Sequence, residues 1–343
     1  MRDKNNRLLK IIGLVIIFAV TLVVPRFLSS GYYINALITT VRWIIFALSF
    51  DLVAGHVGAV SLGHPVFFGV GAYVTAILGA RLNLGFVPNL LLSALLMGLL
   101  ALIVGFAFFR IRGVTFAIGT LGALIISQMI ANNAFDLTGG PMCAKGIARP
   151  EFELPFTDTV IRILKPIDYY YLQLPLLAIT IIIYLAIVNS RVGRSFAAVR
   201  GDEVRASAIG INPLRYKLFA FSVGAALAGA LGSFQAQYIT VICPSELSIS
   251  VTTTLLVIVF VGGVASFKGV MLGALIFSIL PRLLEMGGTS AIAPAYQQIA
   301  YGLILVLIML FMPEGLAGLF DRKKKRPQSQ NPQEEISDID GIT

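Results

Sequence analysis

Both histidines of the chain lie in one glycine-rich stretch, Ser49–Ala80. Pro65 follows His64 directly. Proline disfavours helical geometry at the residue before it and suits the first turn of a helix, so the spacing predicts a helix break at His64. The free N–H groups of a broken helix can bind a carboxylate or line a gate. A tight turn between two packed helices is the alternative, and in either case Gly63 is expected to need a positive φ.

Imidazole side chains are also common metal ligands, but no carboxylate or thiolate cluster accompanies His56 and His64. The two cysteines, Cys143 and Cys243, are too few for a thiolate cluster. We therefore expect no metal site in this chain. One disulfide is possible because both cysteines fall in segments predicted outside, but unpaired cysteines acting as small apolar residues are the expectation.

A second candidate region is the basic connection Ser190–Phe221. Ala197, Val204 and Ala208 share one stripe at helical spacing, which predicts a short amphipathic helix, and Gly210 supplies a stop signal. Such a helix can dock into a groove on a partner protein. A solvated loop beside the lipid is the alternative.

Charges are rare in the apolar runs, and Arg42 and Asp51 share one of them. Nine residues separate the two, roughly 13 Å along a helix, which favours pairing with other helices over proton coupling. Nothing matches the P-loop pattern G-x-x-x-x-G-K-[ST], and no set of nucleophile, base and oxyanion donors is apparent. We therefore expect no enzyme activity, and any ATP hydrolysis must come from another chain.

The composition predicts a membrane protein. Of 343 residues, 57% are hydrophobic and 13% charged, whereas a soluble domain carries about 25% charged residues. Long apolar runs predict an all-α polytopic protein of about ten transmembrane helices. The expected spans are Leu8–Val24, Ile34–Val53, Pro65–Ala80, Val87–Phe109, Val114–Ala131, Tyr171–Asn189, Leu218–Ile239, Ser250–Ala265, Gly269–Leu284 and Ala295–Met312.

The basic residues predict the orientation. Placing both termini in the cytoplasm assigns most of the 26 Lys and Arg residues to cytoplasmic segments. An external loop then covers about 132–170, a cytoplasmic connection about 191–216, and the break at His64 lies toward the cytoplasmic side. Residues 1–320 form one transmembrane domain, whose first span is read as an uncleaved segment, and the polar tail 321–343 is predicted to be disordered.

Several motifs together resemble the permease subunits of branched-chain amino acid ABC importers, the LivH/LivM family, and more closely the LivM type. The similarity covers about Val41 to Pro313. The motifs are GHVGAVSLGHPVFFGVGAY, RGVTFAIGTL from Arg112, LTGG from Leu137, VGRSFAAVRGDEVRASAIGINPLRYKLFAF, and FVGGVASFKGVMLGA from Phe260. The string PMCAKGI after LTGG, the string VRGDE, and Pro65 after His64 depart from the usual family pattern, which bears on the substrate.

The resemblance implies an ABC importer permease fold in a bacterial inner membrane. Its implied partners are a second homologous permease, two cytoplasmic ATPases that use ATP and Mg, and an external solute-binding protein; the chain itself needs no cofactor and no nucleic acid. The candidates for the translocation path or a gate are Gly58, Ser61, Gly63, His64, Phe67, Phe68, Thr115, Thr138, Gly139 and Gly140. The candidates for the ATPase coupling loop are Gly193, Arg194, Arg200, Asp202, Glu203 and Gly210.

The expected function is therefore half of a translocation pathway for branched-chain or related amino acids. Similar permeases carry urea, short amides and other small polar solutes, so these solutes stay open. An ion-coupled secondary transporter is the alternative from another class. It predicts buried carboxylates in the middle of several spans, and the sequence offers chiefly Asp51. A channel requires a symmetric pore-lining motif, which is not found.

Overall fold

The structure of the chain is a computed structural model that describes residues 31–82, 84–111, 113–153 and 160–286. The single positions 25, 302, 303, 306, 310, 315, 316 and 318 are also described. The predicted span Leu8–Val24 and the tail 321–343 lie outside the described residues, and only four positions of the predicted span Ala295–Met312 are among them.

Helices dominate the described part of the chain. They are α1 (Gly31–Asp51), α2 (His64–Val74), α3 (Phe86–Phe108), α4 (Val114–Asn133), α5 (Pro166–Val188), α6 (Arg191–Gly201), α7 (Glu203–Ala208), α8 (Pro213–Ile239), α9 (Ile249–Gly262) and α10 (Phe267–Met286). Helix α1 continues as a π-helix over Leu52–Val57, and α2 does so over Thr75–Gly79. Short helical turns cover Ala80–Leu82, Phe135–Thr138, Gly140–Met142 and Pro244–Leu247.

Five of these helices are long and apolar enough to cross a membrane, namely Gly31–Val57, Phe86–Phe108, Val114–Asn133, Pro166–Val188 and Pro213–Ile239. Three shorter apolar helices are His64–Gly79, Ile249–Gly262 and Phe267–Ile279. Together they coincide with eight of the ten predicted spans, so the mainly helical, multi-pass architecture is confirmed. The count of ten stays a prediction.

Helix α8 lies at the centre of the bundle and packs mainly on α2 and α3. Small residues bring its backbone against α2. A Cβ atom on Gly232 would lie 2.0 Å from the carbonyl oxygen of Phe68, and one on Gly71 would lie 2.7 Å from the Cα atom of Gly229. Such close approach is typical of membrane helices, where van der Waals packing drives association.

Two external connections of the predicted topology are joined to each other. Strand β1 (Ala144–Lys145) pairs antiparallel with β4 (Val241–Ile242), and Cys143 forms a disulfide with Cys243. The expectation of two unpaired cysteines is therefore wrong. Sequence position gave no sign of the bridge because 100 residues separate the two cysteines. We call residues 134–153, 160–165 and 240–248 the disulfide end of the molecule.

A second pair of short strands lies in the connection between α4 and α5, where β2 (Glu151–Glu153) pairs antiparallel with β3 (Val160–Arg162). The opposite end of the bundle holds helices α6 and α7 and the turn 263–266. We call it the loop end, and α8 runs the full distance from the loop end to the disulfide end, roughly 40 Å for 27 residues.

Candidate functional site

Helices α1 and α2 are joined by residues 58–63, which we call the re-entrant segment. Gly58 ends the π-helical turn of α1 with φ of 80°, and its N–H donates to the carbonyl of Val53. His64 then begins α2 with its Nε2 3.0 Å from the Oγ of Ser49. Since Ser49 lies eight residues before Val57, roughly 12 Å along an α-helix, the segment runs back beside α1.

The predicted break at His64 is thus confirmed, with Pro65 in the first turn of α2. It does not lie at the end of the bundle, however, because α2 begins inside it. The expected positive φ at Gly63 is wrong, since its φ is −93°. Glycine is required there by space, because a Cβ atom would lie 2.4 Å from the carbonyl oxygen of Thr120.

Two threonines hold the inner end of the re-entrant segment. The N–H of Leu62 donates to Thr120 Oγ1 of α4 at 3.0 Å, and its carbonyl accepts from Thr252 Oγ1 of α9 at 3.0 Å. Both threonine side chains are buried. Irregular backbone at membrane depth is tolerated only where protein or water satisfies its polar groups. The two hydroxyls therefore replace the hydrogen bonds that the N–H and the carbonyl of Leu62 would make inside a helix.

The imidazole of His64 is enclosed by aromatic rings. Its ring centre lies 5.7 Å from that of Phe46, 5.5 Å from that of Phe50 and 6.0 Å from that of Phe67. The Nδ1 of His64 and the Oγ of Ser61 have no hydrogen-bond partner among the described residues. This packing holds the start of α2 in place inside the subunit.

The pathway candidates fall in three separate places. Those of the first stretch are mostly buried within this subunit, since Ser61, Gly63, His64, Phe67 and Phe68 are all buried and Gly58 alone is exposed. Thr115 is exposed at the start of α4. The LTGG candidates lie at the disulfide end beyond the other end of α4, so the structure does not bring the three groups together.

Thr138, in the LTGG motif, has a local structural role. Its Oγ1 donates to the carbonyl of Ala131 at 2.6 Å and accepts from the N–H of Gly140 at 3.2 Å. Gly139 and Gly140 have φ of 71° and 56°, which glycine adopts without strain. The motif therefore closes the turn that leads from α4 to the disulfide.

Asp51 joins three elements at the loop end. Its Oδ2 accepts from the hydroxyl of Tyr184 in α5 at 2.5 Å, and its Oδ1 accepts from the N–H of Ala265 at 2.8 Å. His56 Nε2 lies 2.8 Å from the same hydroxyl. Because that hydroxyl donates to Asp51, His56 is the donor to Tyr184. We call these four residues the Asp51 latch.

The prediction that Asp51 pairs with other helices is confirmed. Gly55 makes room for the latch, because a Cβ atom there would lie 2.0 Å from Asp51 Oδ1. The sequence does contain one signal for the partner of Asp51. A tyrosine in an apolar span needs a hydrogen-bond partner for its hydroxyl, and Tyr184 is such a residue.

The predicted coupling loop contains two helices instead of one. Asp202 ends α6 and caps α7, with its Oδ1 accepting from the N–H groups of Val204 at 2.8 Å and Arg205 at 3.1 Å. The proposed stripe of Ala197, Val204 and Ala208 is therefore broken, and all three residues are exposed. The prediction of a single amphipathic helix was wrong because an N-cap aspartate competes with helix continuation.

The side of this helix pair that faces the bundle is formed by other residues. Gly193, Phe196, Val199 and Ala206 are buried. A Cβ atom on Gly193 would lie 2.1 Å from the carbonyl oxygen of Val188, so α6 turns tightly off the end of α5. The other coupling candidates are outermost: Arg194, Arg200 and Gly210 are exposed, and Asp202 and Glu203 are half-buried.

Two contacts attach the helix pair to the bundle. A Cβ atom on Gly58 would lie 3.2 Å from Cγ of Arg200, so the aliphatic part of Arg200 covers the turn at the end of α1. Lys217 of α8 donates to Oε1 of Glu203. Helix α6 thus contacts the outer end of the re-entrant segment, and its residues Arg194 and Arg200 are exposed.

No group of three or more His, Cys, Asp or Glu side chains that could hold a metal is found within the described residues. The arrangement around the re-entrant segment offers hydrogen bonds, close helix packing and an exposed basic surface. These features suit movement of helices and docking of a partner.

Comparison with known proteins agrees with this description. Residues 32–309 match the model of a family described as branched-chain amino acid transport system / permease component. The chain is 29% identical over 307 residues to the high-affinity branched-chain amino acid transport system permease protein LivM of Salmonella typhimurium, covering 84% of this chain and 71% of the relative. The LivM protein of Escherichia coli gives 29% identity over 309 residues, covering 85% and 71%.

The high-affinity branched-chain amino acid transport system permease protein LivH of Escherichia coli is less similar, with 25% identity over 291 residues, covering 80% of this chain and 90% of LivH. No solved structure matches the chain. The family model spans most of the sequence, including α1 to α10, the re-entrant segment, the Asp51 latch and the α6–α7 pair. This chain belongs to the permease component family of branched-chain amino acid transport systems, the LivH/LivM family, and is of the LivM type.

Proposed function

We propose that this chain forms half of the translocation pathway of an ATP-driven ABC importer for branched-chain or related amino acids. It lies in a bacterial inner membrane with both termini in the cytoplasm. A second permease of LivH type completes the pathway, and an external solute-binding protein delivers the solute. Two ABC ATPases hydrolyse ATP with Mg on the cytoplasmic side, since this chain has no nucleotide-binding motif.

One observation carries this proposal most directly. The α6–α7 pair presents exposed Arg194 and Arg200 outward and packs its buried face on the bundle. Arg200 also covers Gly58, where the re-entrant segment begins. A partner docked on this pair therefore acts close to the outer end of the re-entrant segment.

The ten pathway candidates remain part of the proposal. Gly58 and Thr115 reach the surface of this subunit, so they can meet a solute or a second permease directly. Ser61, His64 and Phe67 are buried, so they take part only after the helices around α2 move. Their packing sets the position of the re-entrant segment in this structure.

Ion-coupled transport is the less favoured function. A carboxylate that binds a coupling ion faces a water-filled cavity or changes partners during transport. Both oxygens of Asp51 accept hydrogen bonds from groups of this chain, and its side chain is fully buried. Urea, short amides and other small polar solutes stay open as substrates, because the separate binding protein selects the solute.

The proposal is tested by reconstitution. The chain is assembled in vesicles with the LivH-type permease, the ATPases and the binding protein encoded beside it, and uptake of radiolabelled leucine is followed. We expect uptake that needs ATP on the ATPase side and the binding protein outside, and that persists with a protonophore. An ATPase whose P-loop lysine is replaced is the control. Uphill uptake by the chain alone on an ion gradient would contradict the proposal.

A further inference from the structure

We infer that the re-entrant segment is a mechanical linkage from helix α6 to helices α4 and α9, with Thr120 and Thr252 as the positioning residues at its inner end. The inference rests on the proposed function, because it describes how a partner docked on α6 acts on the membrane helices. Each step is a contact between named residues.

The outer end of the linkage is a contact of α6 with backbone. Gly58 has no side chain, and its Cβ position would lie 3.2 Å from Cγ and 3.6 Å from Cβ of Arg200. The N–H groups of Gly58 and Ala59 both donate to the carbonyl of Val53. A displacement of α6 therefore acts on the turn itself, with no flexible side chain of the segment in between.

The inner end of the linkage is the pair of hydrogen bonds on Leu62. Thr120 and Thr252 come from two different helices, and both are at most 3% exposed. Val66 donates its N–H to the carbonyl of Gly63 at 3.0 Å, which joins the same point to the start of α2. A movement of Leu62 is thus passed to α2, α4 and α9 together.

Only three residues lie between Gly58 and Leu62. Ala59 and Ser61 are buried and Val60 is half-buried. Packed interiors have low compressibility and transmit displacement. The segment therefore has little space in which to absorb a movement of its outer end.

The two helices at the receiving end are suited to move. Helix α4 is the least buried of the five long apolar helices. Helix α9 is short, and Thr252 lies three residues after its start at Ile249. Its other end leads into Ala265, which the Asp51 latch holds. Movement of Leu62 therefore acts on α9 near one of its ends, while the Asp51 latch contacts the turn that follows the other end.

The test compares neighbouring threonines in the assembled transporter. Thr252→Val removes the hydroxyl that holds Leu62, and Thr253→Val is the matched control, because Thr253 is exposed and donates to Ile249 of its own helix. Uptake of leucine and hydrolysis of ATP are measured on the same vesicles. We expect Thr252→Val to lower the solute taken up per ATP hydrolysed on the order of fivefold, as loss of an interhelical hydrogen bond implies.

Rescue and a second variant complete the design. Thr252→Ser keeps the hydroxyl and should restore the ratio to that of the unchanged protein, as Thr253→Val should. Thr120→Val removes the other hydrogen bond to Leu62 and should lower the ratio as well, which covers the case in which Thr252→Val does not assemble. Wild-type ratios in Thr252→Val and Thr120→Val would overturn the linkage. Absence of ATP-dependent uptake in the unchanged protein would instead refute the proposed function.

Discussion

The two ends of the bundle are held together by different forces. At the disulfide end, Cys143 and Cys243 form a covalent bond next to the paired strands β1 and β4. At the loop end, Asp51 joins α1, α5 and the turn 263–266 through hydrogen bonds, without a covalent bridge. A covalent bridge fixes its neighbours, whereas hydrogen bonds can exchange partners as helices move. From this comparison we expect helix movement at the loop end, where α6 also contacts the re-entrant segment.

The largest expected effect comes from removing the centre of the latch. Asp51→Ala leaves two buried donors, the hydroxyl of Tyr184 and the N–H of Ala265, without their acceptor. Burying such unsatisfied groups costs about 1–3 kcal/mol each, so we expect about 4 kcal/mol of lost stability. The change is measured as the unfolding temperature of the purified protein, with size-exclusion chromatography as the readout.

The matched control for this prediction is Asp136→Ala, an exposed acidic residue at the disulfide end. It should leave the unfolding temperature nearly unchanged, because solvent already satisfies its carboxylate. Equal unfolding temperatures for Asp51→Ala and Asp136→Ala would show that the latch does not hold the loop end.

The next effect in size comes from filling the space at Gly63. Gly63→Val places its side chain against the carbonyl of Thr120, where even a Cβ atom would lie at 2.4 Å. Overpacking of this kind costs about 1–3 kcal/mol, and we expect the upper part of that range because the obstacle is backbone. Uptake should be lost while the disulfide still forms, which thiol labelling of the unfolded protein reports.

Gly122→Val provides the control on the same helix as Thr120. No atom lies within 4 Å of a Cβ built on Gly122, so the larger side chain has room there. Normal uptake by Gly63→Val would separate the re-entrant segment from the transport pathway.

A smaller loss is expected at the other end when the bridge is removed. Replacing Cys143 and Cys243 by serine opens a loop of 100 residues, for which chain entropy alone gives about 4.7 kcal/mol. That loop contains α5 and α8, which a bilayer keeps in place before the bundle packs, so we expect about 2 kcal/mol. Uptake should persist at low temperature, since the bridge lies away from the parts that move. Loss of uptake with unchanged stability would show that the disulfide end, and not only the loop end, takes part in transport.

Much of the architecture could be predicted from the sequence because it depends on local features. Apolar runs gave eight helices of the described part, and Pro65 after His64 marked the start of α2. The nine-residue separation of Arg42 and Asp51 likewise indicated pairing with other helices. These features require only the neighbours along the chain and the length of a membrane span.

The rest depends on contacts between distant parts of the chain. The re-entrant course of residues 58–63 follows from Thr120 and Thr252, which lie 58 and 190 residues away from Leu62. The disulfide depends on strand pairing between two connections that no local pattern relates. At Gly63, the sequence predicted the need for glycine but gave the wrong reason, since the constraint is a distant carbonyl and not the backbone angle.

The smallest effect concerns Glu203, for which the sequence predicted docking of an ATPase. In the structure, Lys217 donates to Glu203, and the lysine is only 10% exposed. Glu203 therefore positions α7 from within the chain, and its removal should weaken co-purification of the ATPases about threefold, in line with the low worth of partly exposed ion pairs.

A double-mutant cycle decides between a positioning role and direct docking. If Glu203 acts through Lys217, then Lys217→Met weakens ATPase binding as much as Glu203→Ala, and combining the two adds little, because both remove the same interaction. If Glu203 instead touches the ATPase, Lys217→Met has the lesser effect and the two losses add. Arg200→Ala should add to either variant, since Arg200 lies against Gly58, a contact separate from the Glu203–Lys217 pair. Additive losses for Glu203 and Lys217 would mean that α7 binds the partner directly, and the loop end would then be held by the Asp51 latch and α6 alone.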